Sequence, residues 1–96
     1  MRLPEPSVPV DESHETRLRR LKMRSWRRGI KEMDLILGSF ADAQLAQLEG
    51  ETLDLYDALL SENDQELYAW VTGQTPAAPP FEGLISMISD HAKAMN

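Results

Sequence analysis

From about Glu15 onward, apolar residues recur three and four positions apart and β-branched residues are few, a pattern that predicts helices and no sheet. Leu18, Leu21, Ser25 and Trp26 share one face of a first helix over about Glu15–Arg27, with Arg17, Arg20, Arg24 and Arg27 on the others. Gly29 interrupts the pattern. A second helix over about Ile30–Gln47 spaces Ile30, Met33, Leu37, Phe40, Ala41 and Leu48 for burial, and Leu35 and Ile36 widen the stripe. So broad a stripe suits a central helix that touches several neighbours.

Gly50 opens a third helix over about Glu51–Ser61, with Leu53, Tyr56, Leu59 and Leu60 on one face and Glu51 at the N-terminus, where a negative charge is favoured. Asn63 and Glu66 make a weak capping box ahead of Leu67, Trp70 and Val71, and Gly73 supplies the stop. Pro76, Pro79 and Pro80 make 74–80 a connector, after which Phe81, Leu84, Ile85, Ile88, Ala92 and Met95 rebuild a helical stripe. The connections are short and no repeat is present. The expected architecture is all-α, a compact five-helix bundle of residues 15–96 behind a disordered N-terminal tail of residues 1–14.

Composition adds that this bundle must hold without covalent help, since 96 residues contain no cysteine; disulfide scaffolds and Cys-based zinc sites are excluded. The net charge of −6 hides a segregation. Nine of ten cations fall in residues 1–31 against four acids, and twelve of sixteen acids follow against Lys93 alone, so the two parts carry about +5 and −11.

Residues 1–16 lack the apolar core of a signal peptide and the acid-poor, Arg-rich character of a mitochondrial presequence. No run reaches the roughly 18 apolar residues of a membrane span. The expected location is therefore a bacterial cytoplasm, with the mitochondrial matrix reserved for a trimmed eukaryotic chain. Catalytic inventory is thin. Only His14 and His91 offer an imidazole, and the neighbours Ser89, Asp90 and His91 point about 100° apart on a helix, too divergent for a triad. The five glycines form no phosphate loop, and the Glu62/Asp64 pair reads as helix capping rather than a cation site.

The segment Arg24-Ser-Trp-Arg-Arg-Gly-Ile-Lys-Glu-Met-Asp34 joins a basic helix end, an aromatic, a glycine and an abrupt switch to acid. In one reading Gly29 lets the chain turn, and Glu32 reaches back to its backbone N–H. In the other, guanidinium groups beside a glycine without a side chain form a place where another protein's backbone and carboxylates approach closely. Trp26 divides between packing and interface.

Arg28-Gly29-Ile30-Lys31-Glu32 fits the Arg-Gly-x-x-Glu motif and resembles the small assembly factors that promote covalent flavin attachment to the flavoprotein subunit of succinate dehydrogenase. The resemblance extends through Arg27, Glu32-Met33-Asp34-Leu35, Phe40, Leu48, Leu55-Tyr56-Asp57-Ala58-Leu59-Leu60 and Asp64-Gln65-Glu66-Leu67-Tyr68-Ala69-Trp70, covering about Arg17–Gly73. At Glu66 many members have Asp, so the charge is kept. The resemblance implies a five-helix chaperone, not an enzyme, monomeric when free, that docks on the flavoprotein subunit and has fumarate reductase as a further candidate client. FAD goes onto the client and is not stably bound by the chaperone. Arg27, Arg28, Gly29 and Glu32 are the implied docking residues, with Arg28 aimed at a partner carboxylate or carbonyl. Phe40, Tyr56, Tyr68 and Trp70 are expected in the core rather than the site.

The competing reading is a small nucleic-acid-binding regulator that uses the eight cations of residues 17–31. The −11 remainder would repel a polyanion, and no recognition helix with a polar face is evident. The leading reading accordingly has neither nucleic acid nor inserted membrane as a partner.

Overall fold

The structure, a computed structural model, describes residues 12–95, so the expected tail of residues 1–14 lies almost wholly outside the described residues. Five helices follow in order: α1 (His14–Ser25), α2 (Lys31–Gln44), α3 (Gly50–Leu59), α4 (Asp64–Val71) and α5 (Glu82–Ala94). Short 3-10 turns, Leu45–Gln47 and Pro79–Phe81, extend α2 and lead into α5. No strand occurs among the described residues. The all-α expectation holds, with α1 beginning one residue early, at His14, because Ser13 caps it by accepting the Thr16 N–H at 3.1 Å.

The other punctuation follows the sequence closely. Asn63 Oδ1 accepts from the Gln65 and Glu66 N–H groups at 2.8 and 3.4 Å, capping α4. Gly73, at φ +81°, ends it: the Gly73 N–H donates to the Trp70 carbonyl and the Gln74 N–H to the Ala69 carbonyl, the paired bonds of a Schellman stop.

Helix α2 is central, packed on α1, α4 and α5, and its Met33, Leu37, Phe40 and Ala41 are buried. Phe40 stacks on Tyr56 of α3 with ring centroids 5.8 Å apart. Ser25 Oγ donates to the Leu21 carbonyl, which leaves the Tyr56 hydroxyl to donate into Ser25 at 2.5 Å; burial pushes this phenol up to about 12. Two expectations fail at the periphery. Tyr68 and Trp70 are only half-buried, Trp70 stacking on Phe81, and Leu35, expected to widen the buried stripe, is 46% exposed.

Candidate docking site at the turn between α1 and α2

Helix α1 ends at Ser25, and residues 26–30 carry the chain across to α2. Among the described residues only Gly73 has a positive φ, so Gly29 is not needed for left-handed backbone. Its requirement is space. The Gly29 N–H donates to Asp64 Oδ2, and a methyl group at position 29 would lie 2.9 Å from that oxygen.

The other Asp64 oxygen accepts from Arg28 Nε at 2.7 Å. Arg28 also donates from Nη1 to the Leu60 carbonyl at 2.7 Å and from Nη2 to the Glu62 carbonyl at 3.1 Å. One guanidinium thus satisfies carbonyls that the end of α3 leaves without helical partners, while its charge is matched by the first residue of α4. Its side chain is 9% exposed. The contact expected with a partner's carboxylate is made inside the chain, because the turn at 60–63 folds back over Arg28.

Glu32 does not reach back to Gly29, whose N–H is taken by Asp64; instead Asp34 Oδ1 accepts the Arg28 N–H at 2.5 Å. Glu32 and Arg27 are both exposed, and among the described residues neither has an oppositely charged group within ion-pair distance. Of the four implied docking residues, Arg28 and Gly29 are thus engaged internally, while Arg27 and Glu32 are exposed. Trp26 takes the packing role: its ring covers Gly38 and its Nε1 donates to Asp42 Oδ2 at 3.2 Å, while 41% of the residue stays exposed.

Three arginines of α1 meet acids of α3, and one of them also meets Glu12 ahead of α1. Arg17 meets Asp54 at 2.5 Å, Arg20 meets Glu12 at 2.7 Å and Asp57 at 2.9 Å, and Arg24 meets Asp57 at 2.7 Å. Burial pushes the Asp57 carboxyl up, but the Arg20 hydrogen bonds and the charges of Arg20, Arg24 and Arg17 outweigh it and hold the group below its ordinary range. A carboxylate depressed in the folded state stabilises above its unfolded pKa of about 3.9, and that contribution is lost as pH falls through the folded value. Urea unfolding should therefore show Asp57→Asn less stable than wild type at about pH 7, with the gap narrowing by about pH 3. A gap of equal size at both would contradict the assignment.

Ser89, Asp90 and His91 diverge as their helical positions require. Ser89 Oγ donates to the Val71 carbonyl at 3.0 Å, Asp90 is exposed, and the His91 ring meets Ser39 Oγ at 2.8 Å and Gln44 Nε2 at 3.3 Å. Ser89 and His91 thereby tie α5 to α4 and α2. Among the described residues, no three acidic or imidazole side chains gather to hold a metal ion, and no helix is long and apolar enough to cross a membrane.

The family described as flavinator of succinate dehydrogenase matches residues 19–92. This chain belongs to that family. The flavinator match takes in the whole latch of Arg28, Gly29, Asp34 and Asp64, together with Glu32, and leaves out Glu12 and Arg17 of the ion cluster. A mitochondrial succinate dehydrogenase assembly factor 2-A of Drosophila mojavensis is 34% identical over 96 residues, covering 95% of this chain and 61% of that protein. Mitochondrial assembly factor 2 proteins of Candida glabrata and Aspergillus terreus are 42% and 43% identical, covering 77% and 75% of this chain but 48% and 24% of their own lengths. This chain thus spans less than two thirds of each of these relatives. No solved structure matches it.

These relatives correct the expected location: they are mitochondrial, not bacterial cytoplasmic, proteins. The cytoplasmic expectation rested on residues 1–16 lacking a presequence, but presequences are removed from mature proteins, so their absence says nothing of compartment. Sequence reasoning also missed Asp64 and Asp34 as parts of the turn between α1 and α2. Both lie in strings that carry the family resemblance, yet Asp64 read as a helix-capping acid, and nothing local couples it to an arginine 36 positions earlier.

Proposed function

We propose that this chain docks on the flavoprotein subunit of succinate dehydrogenase and promotes covalent attachment of FAD to it, acting as an assembly factor rather than as the enzyme. The carrying observation is the flavinator match across residues 19–92, which includes the Arg28-Gly29-Ile30-Lys31-Glu32 turn. Support comes from the way that turn is built. Asp64 and Asp34 hold its backbone at Gly29 and Arg28, so that Arg27 and Glu32 are presented to a partner from a stiff edge. FAD belongs to the client in this reading, and this chain supplies surface complementarity; fumarate reductase is a second client of the same kind.

The nucleic-acid reading loses its main support, since Arg17, Arg20, Arg24 and Arg28 are matched to carboxylates of the same chain. Deleting the gene tests the flavinator reading directly. The succinate dehydrogenase flavoprotein from the deletion strain should lose its acid-stable flavin fluorescence in a denaturing gel; fluorescence at the wild-type level would overturn the proposal.

A further inference from the structure

The exposed side of α2 and the end of α5 form a groove of about 460 Å³ whose lining includes Glu32, Leu35, Ile36, Tyr68, Lys93 and Met95. Leu35 and Met95 are each 46% exposed there, and Ile36 and Tyr68 are half-buried. Single exposed apolar residues are ordinary on protein surfaces, but two in one concavity with an apolar floor mark a place where another surface fits. The volume falls within the roughly 300–1,000 Å³ of clefts that enclose ligands or anchoring side chains.

The charge at the rim indicates what fits. With Arg28 and Gly29 committed to Asp64, the motif offers the outside only Glu32, beside its exposed neighbour Arg27, and Glu32 lines this groove. Its carboxylate has no cation within ion-pair distance among the described residues, so covering it with an apolar surface alone would bury an uncompensated charge. Lys93 lines the groove from α5 and repels a second cation there. Resting on the flavinator reading, we infer that the groove receives an apolar side chain from a segment of the flavoprotein client, with one basic residue of that segment paired to Glu32. A second copy of this chain fits less well, because a two-fold contact would set groove against groove and leave both unfilled.

The docking surface thereby extends from the edge that carries Arg27 to the α2–α5 side, with Glu32 as the residue common to motif and groove. Affinity for the purified flavoprotein subunit reads this out. Leu35→Glu and Met95→Glu, both at half-exposed positions and checked for wild-type helicity by circular dichroism, should each weaken binding at least about tenfold, as loss of an interface anchor does. Met87→Glu, at an exposed apolar residue of α5 outside the groove, should bind as wild type does. Wild-type affinity in both groove variants, with the unmodified protein binding, overturns the groove and leaves the flavinator reading standing. Absence of binding by the unmodified protein overturns the reading and the groove with it. A dimeric mass in solution that Leu35→Glu reduces to a monomer assigns the groove to a second copy and also overturns the inference.

Discussion

Asp64→Ala should lower the folding stability of this protein by about 3 kcal/mol, at the lower end of the range for breaking a buried ion pair. The substitution strands the Arg28 guanidinium, which is 9% exposed, and frees the Gly29 N–H. The cost stays at the lower end because the Leu60 and Glu62 carbonyls still accept from Arg28. Arg28→Ala strands Asp64 in the same way, so the double variant should lose less than the sum of the two, a non-additivity that a urea-unfolding double-mutant cycle measures. Removing the exposed Arg19–Glu15 pair, joined at 3.3 Å, should by contrast change stability by no more than about 0.5 kcal/mol. Equal losses from the two pairs would mean that Asp64 does not lock the turn. Since the latch shapes the edge that carries Arg27 and Glu32, Asp64→Ala should also weaken client binding.

Gly38→Ala should destabilise by about 1–3 kcal/mol, against the gain of up to about 1 kcal/mol that alanine brings over glycine within a helix. The added Cβ would lie 2.2 Å from Cδ2 of the Trp26 ring and 2.4 and 2.6 Å from Cε2 and Cε3, which leaves the indole no small adjustment. It must leave the face of α2 and give up its hydrogen bond to Asp42. The sign should reverse in a Trp26→Ala background, where the same Gly38→Ala change becomes neutral or stabilising. Thermal unfolding of the four proteins checks this, and a loss that persists without the indole would refute the steric account.

Local features were legible in advance. Gly73 stops α4 with a positive φ, Asn63 caps it, and the stripe of Met33, Leu37, Phe40 and Ala41 is buried. Each depends on residues within a few positions, or on a periodicity that only a buried helix face rewards. The motif string was legible too, as a string. Its geometry was not, because the partners of Arg28 and Gly29 come from the turn at 60–63 and from Asp64, brought near only when the α3–α4 turn folds back onto the α1–α2 turn. Leu35 shows the same limit from the apolar side. Periodicity assigns it to a face, but whether anything covers that face depends on where α4 and α5 end.

By itself, then, the sequence determined the helices, with ends that shift by a few residues in the fold, and the family, because propensity, capping and spacing act over short stretches. It also determined the segregation of about +5 in residues 1–31 from −11 beyond them, though not what that segregation does. Tertiary structure decided that. Ion pairs from α1 and the turn after it to α3 and the start of α4 close much of the imbalance inside the molecule, with Arg17, Arg20, Arg24 and Arg28 each against a carboxylate. Charge pairing falls off over a few ångströms while the paired residues stand 33 to 37 positions apart, so only the fold could tell a bonded arginine from a free one.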